Sequence, residues 1–228
     1  MTTAPVDLVT ESSPLHSGGV TSQNNRPGEI VTDGIVGAEP AGSFLGSKTR
    51  GAGMSWKDGH MESVEVTVFY LEMLAPSHRP APAPRAGLTV LHVPSPTVPY
   101  YRSLYDAVGK DYYWLSRRKM SDEALAAVLG DPRDELHVLH VGGTPAGFAE
   151  LDRSRPDEIE LVQFGLMPQY IGQGLGRWFL QWTIDRAWSY EPSRFWLHTC
   201  TLDHPAALPN YLKAGFVLFQ QETIRREL

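Results

Sequence analysis

Phe164-Gly165-Leu166-Met167-Pro168-Gln169-Tyr170-Ile171-Gly172-Gln173-Gly174-Leu175-Gly176-Arg177-Trp178-Phe179-Leu180 is the stretch that decides the fold. An apolar run ends in glycines at alternate positions, 172, 174 and 176, and a helical pattern follows at once. Backbone without Cβ atoms can approach an anion closely and aim successive N–H groups at it. The new helix adds the positive end of its dipole, roughly half a charge, at the same spot. A pyrophosphate is the natural guest of such a turn. The spacing is not the Gly-x-Gly-x-x-Gly dinucleotide fingerprint, and no Gly-Lys-Ser/Thr follows as in a P-loop.

Outward from the turn, Glu158–Leu166 reads as the strand leading into it, and the helix runs to about Trp188. Leu136–Val141 and Ala146–Leu151 read as strands joined by a tight Gly142-Gly143 turn. Phe195–Cys200 is a strand, 205–214 a short helix that Pro209 either kinks or makes start late, and Phe216–Phe219 a last strand. Upstream, Val64-Glu-Val-Thr-Val-Phe-Tyr-Leu-Glu-Met alternates as a strand does, and Leu88–Val93 is another. A proline-rich segment separates those two. Thr97 can cap a helix to about Val108, a loop rich in aromatic and basic residues follows, and Ser121 opens a short helix. This order makes an α/β fold with a mixed sheet.

The chain of 228 residues, 42% hydrophobic and with net charge -6, suits one domain plus an extension. Ten of its 21 glycines lie in residues 1–60, with four prolines and only Phe44 and Trp56 as aromatics. That composition does not offset the ordering entropy of about 1–2 kcal/mol per residue. Residues 1–60 are expected to be a disordered leader, either a genuine tail or an early start before Met54 or Met61, ahead of a domain over 62–228. One cysteine, Cys200, excludes an intramolecular disulfide framework and a four-cysteine zinc site. The acidic balance speaks against a nucleic-acid binder, no apolar run is long enough for a membrane span, and a cytoplasmic protein is expected.

The glycine turn resembles that of the GNAT acetyltransferase superfamily, and Asn210-Tyr-Leu-Lys-Ala-Gly-Phe is similar to its terminal Leu-Tyr-x-Lys-x-Gly-Phe motif. Together with the element order, the resemblance covers about residues 88–225. It implies an α/β (α+β) fold: a mixed, mostly antiparallel sheet flanked by about four helices, with a V-shaped splay between the two central strands. It also implies N-acetyl transfer from acetyl-CoA to a primary amine, by direct attack in a ternary complex and without a metal. Coenzyme contacts are expected from Phe164, Leu166, Gln169, Ile171, Gly172, Gln173, Gly174, Leu175, Gly176, Arg177, His204 and Tyr211.

Two residues depart from the pattern. Ile171 stands at the family's Gln/Arg position, so backbone amides have to suffice there, helped by Gln173 and Arg177. His204 stands where many members carry asparagine. These departures motivate an alternative, a non-catalytic module that binds acyl-CoA. For catalysis, the resemblance implies Tyr211 as the acid for the leaving thiolate and Glu160, with Glu158 or a water chain as alternatives, as the base. The amide of Leu166 or Phe164, near a bulge at Gly165-Leu166, is the implied oxyanion donor. The loop at Tyr112-Tyr113-Trp114 and Arg117-Arg118-Lys119 would wall the acceptor pocket. A core role is expected for Cys200, and the Trp178, Trp182, Trp188 and Phe179 side chains are expected on the buried face of their helix. The sequence leaves the oligomeric state open, with the strand at 64–74 a candidate for pairing across a homodimer.

Overall fold

The computed structural model describes residues 63–76, 82–83 and 85–227. The expected leader at 1–60 and most of the proline-rich segment lie outside them. The chain runs β1 (Ser63–Met73), β2 (Leu88–Val93), α1 (Val98–Gly109), a 3-10 turn (Lys110–Tyr112), the single turn α2 (Ser116–Lys119) and α3 (Asp122–Leu129). It continues through β3 (Asp134–Val141), β4 (Thr144–Asp152), β5 (Glu158–Leu166), α4 (Leu175–Trp188), β6 (Arg194–Cys200), α5 (Ala207–Ala214) and β7 (Val217–Glu227). The strands form one sheet in the order β2-β3-β4-β5-β6-β1-β7. All pairings are antiparallel except β5 with β6.

The local signals act where expected. Gly142 and Gly143 both take positive φ and close the β3–β4 hairpin. The Ser121 hydroxyl accepts from the Ala124 amide and caps α3. α5 starts late, at Ala207, so Pro209 falls in the first turn, where its missing N–H costs no helical bond.

Two apolar layers cover the sheet. On one face α4 and α5 bury Phe179, Ile184, Leu197 and Tyr211 among strand residues. On the other, Tyr101, Leu104, Leu125 and Phe148 pack beneath α1 and α3. The tryptophans of α4 are an exception to the sequence reading. Leu175, Phe179, Leu180, Thr183, Ile184 and Ala187 form its buried face, while Trp178, Trp182 and Trp188 are half-buried along the flanks. Their ring nitrogens explain the position: Trp178 donates to the Ala83 carbonyl at 2.9 Å, and Trp188 meets the Met73 sulfur at 3.2 Å.

β1 corrects a second expectation. It lies between β6 and β7 and pairs with both, Val68 opposite Cys200 on one side and Glu222 on the other. It is thus an interior strand of the sheet, paired with β7 from Ser63 to Glu72 and with β6 from Val68 to Met73, rather than the edge strand expected for pairing across a dimer. The last strand runs well past the expected Phe219, because β1 pairs with ten of its residues, from Val217 to Glu227.

Candidate active-site cleft

β5 and β6 pair from Glu158 opposite Arg194 to Leu161 opposite Leu197 and then part. β5 continues to Leu166 and β6 to Cys200, so the strands splay into a V. A cavity of about 430 Å³ fills the V, from the glycine turn at one end to β1 and β7 at the other.

The outer end is built from backbone. Gly172 and Gly174 have φ of +82° and +73°, a region where a side chain is strained, and neither would gain a neighbour within 4 Å from a Cβ. Gly174 is the N-cap of α4, and no side chain caps the first turn or places an acid there. The helix therefore presents bare N–H groups and its dipole to the cleft. Gly176 differs from the other two: its φ is ordinary, and a Cβ would lie 3.6 Å from Leu166. Ile171, Gly172, Gly174, Gly176 and Arg177 border the cavity; Gln169, Gln173 and Leu175 do not. Gln173 instead ties the turn together by donating to the Gln169 carbonyl at 2.8 Å, and the Leu175 side chain is buried in the core.

The middle is the edge of β5. The Met167 amide donates to Ala146 on β4 at 2.8 Å. Successive strand amides point to opposite edges, so those of Leu166 and Phe164 face the cleft. The bulge lies elsewhere than expected. Leu161 and Gln163 pair with consecutive residues of β4, which makes Val162 the extra residue rather than Gly165 or Leu166. Gly165 is glycine for another reason, since a Cβ there would collide with the Val108 side chain of α1.

The inner end is made of side chains. Tyr211 is buried on α5 and borders the cavity; burial, then the charge of Asp203, pushes its phenol pKa well up, so it stays protonated at any working pH. Asp203 also borders the cavity and holds three donors: Thr199 at 2.6 Å, the Cys200 amide at 2.9 Å and the Trp114 indole at 3.3 Å. His204 accepts the Ala206 amide through Nδ1 at 3.0 Å and meets the Tyr112 ring edge-on. Burial raises the Cys200 thiol to about 11, which keeps it protonated and removes it as a nucleophile at neutral pH.

Glu160 and Glu158 do not border the cavity. Glu160 stands 3.5 Å from Nδ1 of His198, which does border it, and Glu158 pairs with Arg194 at 3.4 Å. The residues that the sequence left unassigned in this role are Asp203, His198 and Arg226. His198 and Asp203 are close in sequence at the end of β6, but only the sheet order brings Arg226 of β7 to the same cavity. Among the described residues, no three His, Cys, Asp or Glu side chains cluster as a metal site, and no helix is long and apolar enough to cross a membrane.

A V-shaped cleft between parallel strands, entered past a bare helix N-terminus, defines an acyltransferase fold, and the chain belongs to the Acetyltransferase (GNAT) family, whose model matches residues 101–216. Among curated proteins, the chain is similar to a mycothiol acetyltransferase of Streptosporangium roseum, 34% identical over 87 residues, 38% of this chain and 24% of that one. It thus spans about a quarter of the length of that relative. Among solved structures, a GCN5-related N-acetyltransferase from Sphaerobacter thermophilus shares the fold with a TM-score of 0.50 and 16% identity, over 71% of this chain and 51% of that one. One from Kribbella flavida aligns with a TM-score of 0.49 and 16% identity, over 72% and 59%.

Proposed function

We propose that the chain transfers the acetyl group of acetyl-CoA to a primary amine by direct attack in a ternary complex. The observation that carries this reading is the continuity of the cleft, from the bare N-terminus of α4 through the splay to the charged inner end. Gly172–Gly176 and Arg177 would hold the coenzyme's pyrophosphate. The thioester carbonyl would accept from the Leu166 or Phe164 amide, a contact worth roughly 10²–10³ in rate where such donors have been removed.

In the transfer, the amine nitrogen bonds the acetyl carbon and the C–S bond breaks. The amine proton passes to His198, with Glu160 behind it as the positioning carboxylate, and the departing thiolate takes the Tyr211 proton. The base is thus assigned one residue further into the cleft than Glu160 itself. The relative named mycothiol acetyltransferase supports acetyl transfer as the activity. The transferase unit is taken as residues 62–228 in a cytoplasmic protein. The test is release of free thiol from acetyl-CoA across a panel of amines, with the amide identified by mass. Thiol release with amide formation is expected; coenzyme binding without turnover on any amine would favour the acyl-CoA-binding module.

A further inference from the structure

The inner end of the cavity holds a buried cation with no ion-pair partner among the described residues. Arg226, on β7, is only 8% exposed and borders the cavity. One of its terminal nitrogens donates to the Tyr113 carbonyl at 2.8 Å, but Nε is buried without a hydrogen-bond partner, and no carboxylate among the described residues lies within ion-pair distance. A buried guanidinium is costly to leave uncompensated, and its planar fork suits a carboxylate. Cys200, on β6, borders the same cavity as Arg226.

Asp203 is the one carboxylate that borders the same cavity among the described residues. Its Oδ2 is taken by Thr199 and Cys200, whereas Oδ1 carries only the long Trp114 contact and has acceptor capacity left for an ammonium group. The cavity therefore pairs one site for a cation with one for an anion. Arg226 and its neighbours Val66, Val68 and Ile224 come from β1 and β7, outside the segment that the family model matches.

We infer that the acceptor is zwitterionic: a primary amine that carries a carboxylate, with the ammonium group met by Asp203 and the carboxylate by Arg226. This rests on the acetyltransferase reading for the fate of the amine, but the recognition itself does not. The same guanidinium could instead receive the far carboxylate of a dicarboxylic acyl group, and the experiment separates the two sources.

The test compares wild type, Arg226→Gln and Arg226→Lys, each checked by melting temperature. The substrates are free α-, β- and γ-amino acids and dipeptides, each beside its decarboxylated amine. Wild type is expected to favour at least one carboxylated acceptor by about tenfold or more in kcat/KM, mainly through KM. Arg226→Gln should bring that ratio close to one, and Arg226→Lys should keep part of it. Calorimetric binding of the same pairs gives the comparison even if no amine is acetylated, so a failure of the transfer reading is seen separately. Equal use or binding of both members of every pair by wild type would overturn the inference. So would an Arg226→Gln loss that is the same for both members, which marks a structural role. A wild-type preference for succinyl-CoA over acetyl-CoA with simple amines, lost in Arg226→Gln, would also overturn it by assigning the arginine to the acyl group.

Discussion

The two ends of the cleft use opposite means. The outer end is backbone: two glycines at positive φ and a helix start, with Arg177 the only cation at its rim. The inner end is side chains brought from α5, β6, β7 and the loops before and after them. On the proposed reading the outer end meets the pyrophosphate of the coenzyme, for which fixed dipoles suffice. An acceptor differs from one protein to the next, and side chains can vary without disturbing the backbone.

The two faces of the sheet each bury a carboxylate on or beside β3, and the two are supported differently. Glu135, beneath α4, is bonded by His137, Tyr190, Arg153 and Arg186. Burial would raise its pKa, but those hydrogen bonds and the two guanidinium groups outweigh it and hold the carboxyl at about 2. On the other face of the sheet, Glu150 takes the Tyr101 hydroxyl and the Arg117 guanidinium, and so anchors the loop that walls the inner end. Its neighbour Asp134 is pushed well up, first by burial and then by the charge of Glu150, against the pull of Arg117. Adjacent residues on β3 thus shift in opposite directions because one faces two arginines and the other a second carboxylate.

The largest expected effect tests the inner end. Tyr211→Phe should lower kcat about 100-fold, the scale of a lost general acid, with little change in KM for acetyl-CoA. If the tyrosine only packs, stopped-flow thiol release will be nearly unchanged.

The outer end is tested by its own internal contrast. Gly174→Val forces a branched side chain into positive φ, a strain of roughly 1–3 kcal/mol, and should weaken CoA binding tenfold or more by calorimetry. Gly176→Ala meets only an ordinary contact with Leu166, so it should leave the melting temperature within about 1 °C and raise the acetyl-CoA KM a few-fold. Equal effects from the two would break the distinction between backbone angle and ligand approach.

The supports should separate with pH. Glu135 has a lowered folded pKa, so its contribution is present above about pH 4.5 and is lost as pH falls toward 2. Glu135→Gln should cost about 2 kcal/mol at pH 7, roughly 5 °C in melting temperature, with the gap closing in acid. Asp134 has a raised folded pKa, so its protonated form stabilises at low pH and that contribution fades as pH rises. Asp134→Asn should therefore gain on wild type, by about 1 kcal/mol, between pH 5 and 8. Parallel melting curves for both variants would show that the opposite charge surroundings do not matter.

The sequence made the outer end legible because everything in it is local. Gly172, Gly174 and the helix after them lie within a few residues of each other, and the strain that demands glycine is a property of single φ angles. The strand to Leu166 and the late start imposed by Pro209 are legible for the same reason. Glu160 was read as the base from its strand position, and only packing shows that it does not border the cavity whereas His198, 3.5 Å from it, does. The bulge was shifted from Gly165 to Val162, since a glycine that makes room for Val108 looks in sequence like one that marks a bulge.

By itself, then, the sequence determined the glycine turn, the order of strands and helices, and the family that both define. Those follow from backbone angles and from periodicities spanning a dozen residues or fewer. Only the tertiary structure decided that β1 lies between β6 and β7, that Trp114 meets Asp203, and that Arg226 closes the same cavity as Tyr211. The partners Tyr113 and Arg226 are separated by 113 residues, and no local propensity links them. A shared cavity is made by the sheet that carries its walls, and strand order is settled by which apolar faces are buried together.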